Sequence, residues 1–557
     1  MLTAPWPRLQ RGAGGHRALS LGAWLLLVPL LLPLVSLVSL WSGTDLELWA
    51  HMVRHVLPYS VRDTAILTIG VTVCVALTGT VLAALTAFCD FPGRRLFQWA
   101  AVLPLAFPTY LSAYIYVELL DASGPVQSAV RALSPDARFP EIRSAGGAIA
   151  IFSIVLFPYV YLPARVAFAR QSADFIEVAR TLGTGRLEAF RRVNLPLARP
   201  AIAGGIALAL METLSDIGAA EYLGVRTLAV TIYTTWLSRG SIAVAGQLAI
   251  ILLLLVIAIL LLERALRTRG TTAAGRAQRQ MPRAPLTGLG GALAAIVCAL
   301  PILLGFVVPF GFLLHQAVDR SLLSTLSADT SQAIASTFSL AAMAAAGVVV
   351  SASVLALWSR QSGGWLQRLA AGAASYGYAV PSVVLALCVI FPAGAIDNAL
   401  NRLIRDAFGF NPGLLLTLSG GILVFAYWVR FQAVGFQLVD AGLKQVSARL
   451  ELAGRSLGRH YYGTLTAITL PLVAPSLLAA AALVFVDVIK ELPLTLLLRP
   501  IGIDTLATNL YGHASRGAFE DGAAEALLIA LTGLVSVAVI LRTALSPAVQ
   551  MQGRSGA

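Results

Sequence analysis

The sequence predicts an all-α polytopic membrane protein of about twelve transmembrane helices, arranged as two parallel six-helix repeats. Three observations carry this. Hydrophobic residues make up 58% of the chain and charged residues 12%, with a mean hydropathy of +0.80, far from soluble globular averages. Apolar runs recur at the length a helix needs to cross a hydrocarbon core, about 18 residues or more. None of them alternates with the period of a barrel strand. Finally, residues of the first half recur in the second at one fixed offset.

The apolar runs place spans near 19–41, 63–88, 98–119, 146–169, 199–217 and 244–263. A second set falls near 289–314, 334–358, 369–392, 414–437, 474–496 and 524–543. The chain then divides into a cytoplasmic tail over 1–18, a first transmembrane domain over 19–265 and a cytoplasmic linker over 266–288. A second transmembrane domain over 289–545 and a cytoplasmic tail over 546–557 complete it. Arg8, Arg11 and Arg17 precede the first run, which reads as a signal anchor with no small-residue cleavage pattern after it.

A formal charge of +13 invites a nucleic-acid reading, but its placement speaks against one. With a cytoplasmic N-terminus, most of the Lys and Arg fall inside, including Arg264, Arg267, Arg269, Arg276, Arg279 and Arg283 around the linker. The basic excess is topological, and no nucleic-acid partner is expected. Cys74, Cys89, Cys298 and Cys388 lack CxxC spacing and read as small hydrophobes, neither disulfide-bonded nor metal-binding.

The offset is 275 residues. It carries Arg180 to Arg455, Gly183 to Gly458, Leu195-Pro196-Leu197 to Leu470-Pro471-Leu472, and Pro200 to Pro475. In the following span Glu212 falls on Asp487 and Asp216 on Glu491. An even number of spans per half gives both copies one orientation, the condition for parallel repeats about an axis along the membrane normal.

The repeated loop reads as a helix–turn–helix at the cytoplasmic face. Asp174 and Glu177 fit an N-cap with a capping box. Glu177 to Leu182 forms a short helix, which Gly183 ends in a left-handed C-cap. A second short helix covers Arg186 to Val193 and stops before Pro196, which disfavours helix in its predecessor. A lipid-resting basic loop is the bland alternative, but it would not need the same Gly and Leu-Pro spacing twice.

Glu177, Ala179, Gly183, Val193, Leu195 and Pro196 form a pattern that resembles the EAA loop of ABC importer permeases. The second copy keeps Gly458, Ile468, Leu470 and Pro471, with Gly454 in place of Ala179 and Glu451 one position early. The resemblance implies a type I ABC importer permease fold in a bacterial inner membrane, with both termini cytoplasmic. It implies that each loop docks into one of two copies of a cytoplasmic ATP-binding subunit. It also implies a periplasmic substrate-binding protein that delivers the solute. The chain itself is not an ATPase: a P-loop needs GxxxxGK[ST], and neither Lys444 nor Lys490 follows a glycine. No cofactor is therefore expected on this chain, ATP and Mg²⁺ belonging to the partner.

Glu212 and Asp216, like Asp487 and Glu491, stand four residues apart and share a helical face. Two readings stand: a translocation pathway or gate facing a cationic or polar solute, or acids solvated at a span end or held in interhelical ion pairs. Lys490 could neutralise one member of the second pair. No tight metal cage is apparent. His51 and His55, at i and i+4, have no third ligand in view and read as interfacial polar residues. Tyr110, Tyr114, Tyr116, Tyr159 and Tyr161 read as an interfacial aromatic belt.

The segments from Met211 to Trp236 and from Lys490 to Ser515 are similar to the corresponding regions of fused ferric-iron importer permeases. Ferric iron is therefore the expected solute, and carboxylates and phenols are hard oxygen donors that suit it. Thiamine permeases share the fused layout, and polyamine and phosphonate permeases share the loop. The rival class is a proton-coupled secondary transporter, which has the same span count but no ATPase to receive the two loops.

Overall fold

The structure is a computed structural model that describes residues 13–36, 45–134, 140–171, 181, 183–267, 283–319, 327–362 and 364–545. Its first half contains α1 (Ala13–Ser36), α2 (Leu57–Phe88), α3 (Thr109–Leu120), α4 (Ala145–Ala169), α5 (Leu195–Ser215), α6 (Gly218–Tyr222) and α7 (Ile242–Arg267). The second half contains α8 (Gly288–Ile302), α9 (Ala328–Ser362), α10 (Gly364–Ala379), α11 (Ser382–Phe408), α12 (Gly421–Gln445), α13 (Leu470–Ile489), α14 (Pro493–Leu498) and α15 (Ala523–Leu545). A two-residue parallel ladder, Cys89–Asp90 with Ala284–Pro285, is the one departure from an all-helical fold among the described residues.

Eleven helices among the described residues are long and apolar enough to cross a membrane. A twelfth pass is a broken pair, Arg94–Ala106 and Thr109–Leu133, bent by 92°. Here the expected straight span over 98–119 is corrected. Pro108 has extended backbone (φ −61°, ψ 150°), and so has the residue before it, Phe107 (φ −94°, ψ 122°). Proline lacks an N–H and keeps its predecessor out of the helical region, so the helix restarts at Thr109. The expected span over 369–392 breaks in the same way, with α10 ending at Ala379 and α11 beginning after Pro381 (φ −55°, ψ 143°).

The first spans are exchanged between halves. Helix α1 packs on α9, α10 and α11 of the second half. There Ser36 Oγ donates to the Cys388 carbonyl at 2.6 Å, the Tyr376 hydroxyl donates to the Leu30 carbonyl, and Trp24 meets Trp358 edge-on at 5.9 Å. Helix α8 and the segment after it pack on the first half in return. The Tyr116 hydroxyl donates to the Leu304 carbonyl, and Phe107 meets Phe306 at 5.8 Å. Hydrocarbon offers helices no hydrophobic drive to associate, so close approach depends on small residues and on interhelical hydrogen bonds such as these.

Two glycines let helices of the first bundle approach α4 closely. A Cβ at Gly79 of α2 would lie 2.7 Å from the Val160 Cβ, and one at Gly205 of α5 would lie 2.5 Å from the Tyr159 carbonyl oxygen. Both contacts are with α4, which is thereby gripped from two sides. The expected aromatic belt is corrected at the same helices. Tyr110, Tyr114, Tyr116 and Tyr161 are buried, and Tyr159 lines a central cavity. Two of their hydroxyls bond inside the structure, Tyr161 donating to the Gln98 carbonyl at 2.9 Å and Tyr116 to the Leu304 carbonyl. The four cysteines are free, Cys298 and Cys388 buried.

Gly205→Leu must push against backbone and is expected to cost about 1–3 kcal/mol. Gly311→Leu, where a side chain meets nothing within 4 Å, serves as the control. Thermal unfolding of the two variants in detergent would check this, with a lowered midpoint for Gly205→Leu only.

Candidate coupling loops and translocation cavity

The two loops share a backbone plan at the described residues. Gly183 and Gly458 adopt φ +83° and +84°, the left-handed conformation that ends a helix at little cost only for glycine. In the second loop Ala448–Ser456 is the helix that Gly458 follows. Glu177 and Ala179, with Asp174 of the expected capping box, lie outside the described residues.

The second limb departs from expectation in both copies. It does not stop before the Leu-Pro step. Arg186–Ala189 runs into a π-turn, Phe190–Asn194, and then directly into α5; Tyr461–Thr464 runs through Leu465–Thr469 into α13. Leu195 N–H donates to the Phe190 carbonyl, and Leu470 N–H to the Leu465 carbonyl, both five residues back. The wider turn comes just before Pro196 and Pro471, so the missing proline N–H falls at the start of a new α segment, where it is tolerated.

Packing explains the small residue at the third motif position. Gly454 is buried, and a Cβ there would lie 2.8 Å from Ile468 Cδ1 and 3.2 Å from Thr464 Cγ2, so the limbs of the loop touch at this point. Glu451 turns inward. It forms an ion pair with Arg360 at the end of α9 (3.0 Å) and accepts from Thr469 Oγ1 (3.4 Å), with only 17% of its side chain exposed. The first loop is fastened differently. Asn194 and Gln171 exchange hydrogen bonds of 2.6 and 2.9 Å, and Phe190 packs on Phe88 and Phe168.

The four acids of α5 and α13 gather around one cavity of about 130 Å³ between the halves. Asp216 and Glu491 occupy matched positions and do matched work. Asp216 accepts from Ala219 N–H (2.8 Å) and from the Thr109 hydroxyl. Glu491 accepts from Leu494 N–H (3.1 Å) and from the Ser382 hydroxyl (3.1 Å). Each therefore caps the short helix after it, α6 or α14, and ties that helix to the residue after the proline break, on α3 or α11. Glu212 accepts from the Tyr378 hydroxyl of the other half at 3.1 Å. Asp487 pairs with Lys490 at 3.6 Å. The acids do not converge on one point, and among the described residues no group of three or more His, Cys, Asp or Glu has metal-holding geometry. The His51 and His55 rings meet at 5.1 Å, tilted by 41°, on exposed positions, and among the described residues no third His, Cys, Asp or Glu joins them.

Sequence reasoning missed Arg430, Tyr378, Thr109 and Ser382. Arg430 of α12 reaches Glu491 at 3.2 Å with 6% of its side chain exposed. Its signal was present, since a lone basic residue inside an apolar span calls for a partner. The hydroxyls after Pro108 and Pro381 gave a second signal, the repeat of Pro-Thr as Pro-Ser.

The Arg360–Glu451 pair is partly exposed, so its worth is about 1 kcal/mol or less, as for pairs that water still reaches. Either single substitution, Arg360→Gln or Glu451→Gln, is expected to speed tryptic cleavage at Arg449 and Arg459. The exchange Arg360→Glu with Glu451→Arg should restore most of the wild-type resistance, and equal cleavage in all four proteins would remove the pair as a fastening.

Known proteins place this architecture. The profile of the binding-protein-dependent transport system inner membrane component family matches residues 76–269 and, a second time, residues 348–551. An Fe(3+)-transport system permease protein of Haemophilus influenzae is 26% identical over 499 residues, covering 86% of this chain and 89% of that protein. A probable ABC transporter permease protein of Sinorhizobium fredii is 24% identical over 549 residues, covering 93% and 94%. A probable molybdenum ABC transporter permease protein of Haloferax volcanii is 30% identical over 250 residues, covering 44% of this chain and 88% of its own length. With both halves matched by one profile and spans throughout, the chain belongs to the binding-protein-dependent transport system inner membrane components, as a multi-pass permease carrying two copies of the unit.

Proposed function

We propose that this chain is the complete transmembrane pathway of an ABC importer that moves ferric iron from a periplasmic binding protein to the cytoplasm. One observation carries the reading. The same left-handed glycine, π-turn and Leu-Pro entry occurs in both halves, each feeding a span with an acid of the shared cavity at its end. Two copies of a cytoplasmic ATPase would each grip one loop, with both termini on the same side as the loops. Because the π-turn makes each loop continuous with α5 or α13, a push on the loop travels along one helix to Asp216 or Glu491. ATP and Mg²⁺ act on the partner.

Iron is favoured by charge and donor type. Glu212, Asp216, Asp487 and Glu491 outnumber Arg430 and Lys490 around the cavity, so the lining carries a formal excess of negative charge when all six are ionised. Carboxylate and phenol oxygens are hard donors. The Haemophilus influenzae relative, named for Fe(3+) transport, is similar along most of the chain. An oxyanion is the second reading. Arg430 and Lys490 supply its chemistry, and relatives named for sulfate and molybdenum transport match about a third of the chain.

Proteoliposomes containing the chain, its ATPase and its binding protein decide between these. Ferric uptake that requires ATP and both partners supports the proposal, whereas ATP-driven sulfate or molybdate uptake without iron uptake replaces the cargo. Uptake driven by a proton gradient with no ATPase would overturn the importer reading. In the same assay Gly458→Val should lower transport per ATP hydrolysed about tenfold. A β-branched residue cannot hold the left-handed cap cheaply, although a side chain there meets nothing within 4 Å.

A further inference from the structure

We infer that Arg430 is a tethered cation that competes with the cargo ion for the carboxylates of the cavity. The inference rests on reading that cavity as a cation pathway. It adds a residue that sets how tightly the pathway holds its ion.

Three features of the site point this way. First, the guanidinium is poorly satisfied for a buried one. Its Nε lies 3.2 Å from Glu491 Oε2, yet Nε makes no hydrogen bond among the described residues, and its Cζ stands 5.7 Å from the Phe431 ring centre. An arginine serving as a permanent strut in apolar surroundings uses its fork of donors, usually in paired contacts to one carboxylate. A single off-line contact is the kind that another cation can displace.

Second, the charge is one-sided. Matching α12 to α4 by the repeat places Ile154 or Val155 opposite Arg430, apolar in either register. Asp216 therefore keeps only a hydroxyl and a backbone N–H, while Glu212 has the Tyr378 hydroxyl and, at longer range, the charge of Arg430. Both cations that line the cavity, Arg430 and Lys490, come from the second half.

Third, Tyr110, 3% exposed, lines the cavity, and its buried hydroxyl has no hydrogen bond among the described residues. A hard cation drawn between the halves would find this phenol beside Asp216 and Glu491. To engage Glu491 fully it would have to take the place of Arg430. Glu491 also caps α14 through Leu494 N–H, so exchanging its cation would act directly on α14.

Terbium(III) is a trivalent hard cation whose luminescence, excited through tyrosine, reports only ions bound close to the ring. Tyr110, Tyr159 and Tyr378 all line the cavity. The full-length chain in nanodiscs, without ATPase, would be titrated with Tb³⁺ as wild type, Arg430→Lys, Arg430→Gln and the double variant Arg430→Gln with Glu491→Gln. Removing the tethered charge in Arg430→Gln should tighten binding about tenfold, the size of one close charge contact. Arg430→Lys should stay near wild type, and the double variant, which also removes the carboxylate that Arg430 would vacate, should lose the gain. Equal or weaker binding in Arg430→Gln, with the double variant folded and likewise unchanged, would overturn the inference, as would no tyrosine-excited signal in any variant. Neither result touches the importer reading, which is decided by ATP-driven uptake.

Discussion

A helix that breaks inside a bilayer exposes backbone groups that no water can satisfy. In each half one helix breaks at a proline, Pro108 or Pro381, and another stops just before a short helix, and one carboxylate in each half serves both junctions. Asp216 and Glu491 stand where the fifth span of the half stops, and each accepts a backbone N–H from the short helix that follows. Each also accepts a hydroxyl from the helix that restarts after Pro108 or Pro381. Three elements of the half are therefore held at one side chain. The cavity lies at these junctions because the broken ends leave room there, and the polar groups that repair the breaks become its lining.

The halves share this plan but not its electrostatics. Arg430 supplies a charge to Glu491 that nothing supplies to Asp216, and Lys490 does the same for Asp487 but not for Glu212. Removing one member of a buried pair is costly because the other is left uncompensated. The asymmetry leaves Asp216 held by hydrogen bonds alone, whereas Glu491 and Asp487 each have a paired cation. It also separates the two copies in evolution-like terms of chemistry alone: one fold, two different linings. The loops diverge similarly, with an ion pair to Arg360 behind the second and an amide pair behind the first.

Transmission between loop and cavity is a matter of helix continuity. A stop before the Leu-Pro step would have left each loop as a separate hinge-mounted piece. The π-turns join loop and span instead, so the second limb of the loop and α13 form one continuous helical run that ends beside Asp487 and Glu491. The exchange of α1 and α8 clasps each bundle with a helix of the other.

Much was legible in the chain itself. Span number, the 275-residue repeat, the glycines that end the loop helices and the four acids are all local or periodic features. A bilayer enforces them residue by residue through hydropathy, and a helix cap needs no more than its own few residues. The proline breaks were also written there, but a hydropathy window averages across Pro108 and Pro381 and sees one continuous span. What only the tertiary structure decided was which distant groups meet: Tyr378 with Glu212, Arg430 with Glu491, Tyr116 with the Leu304 carbonyl, and the tyrosines inside rather than at the interface. These pairings depend on how closely helices approach, which Gly79 and Gly205 set by leaving out a side chain against a particular neighbour. Sequence periodicity gives the face a residue occupies, while the partner across that face is chosen by packing.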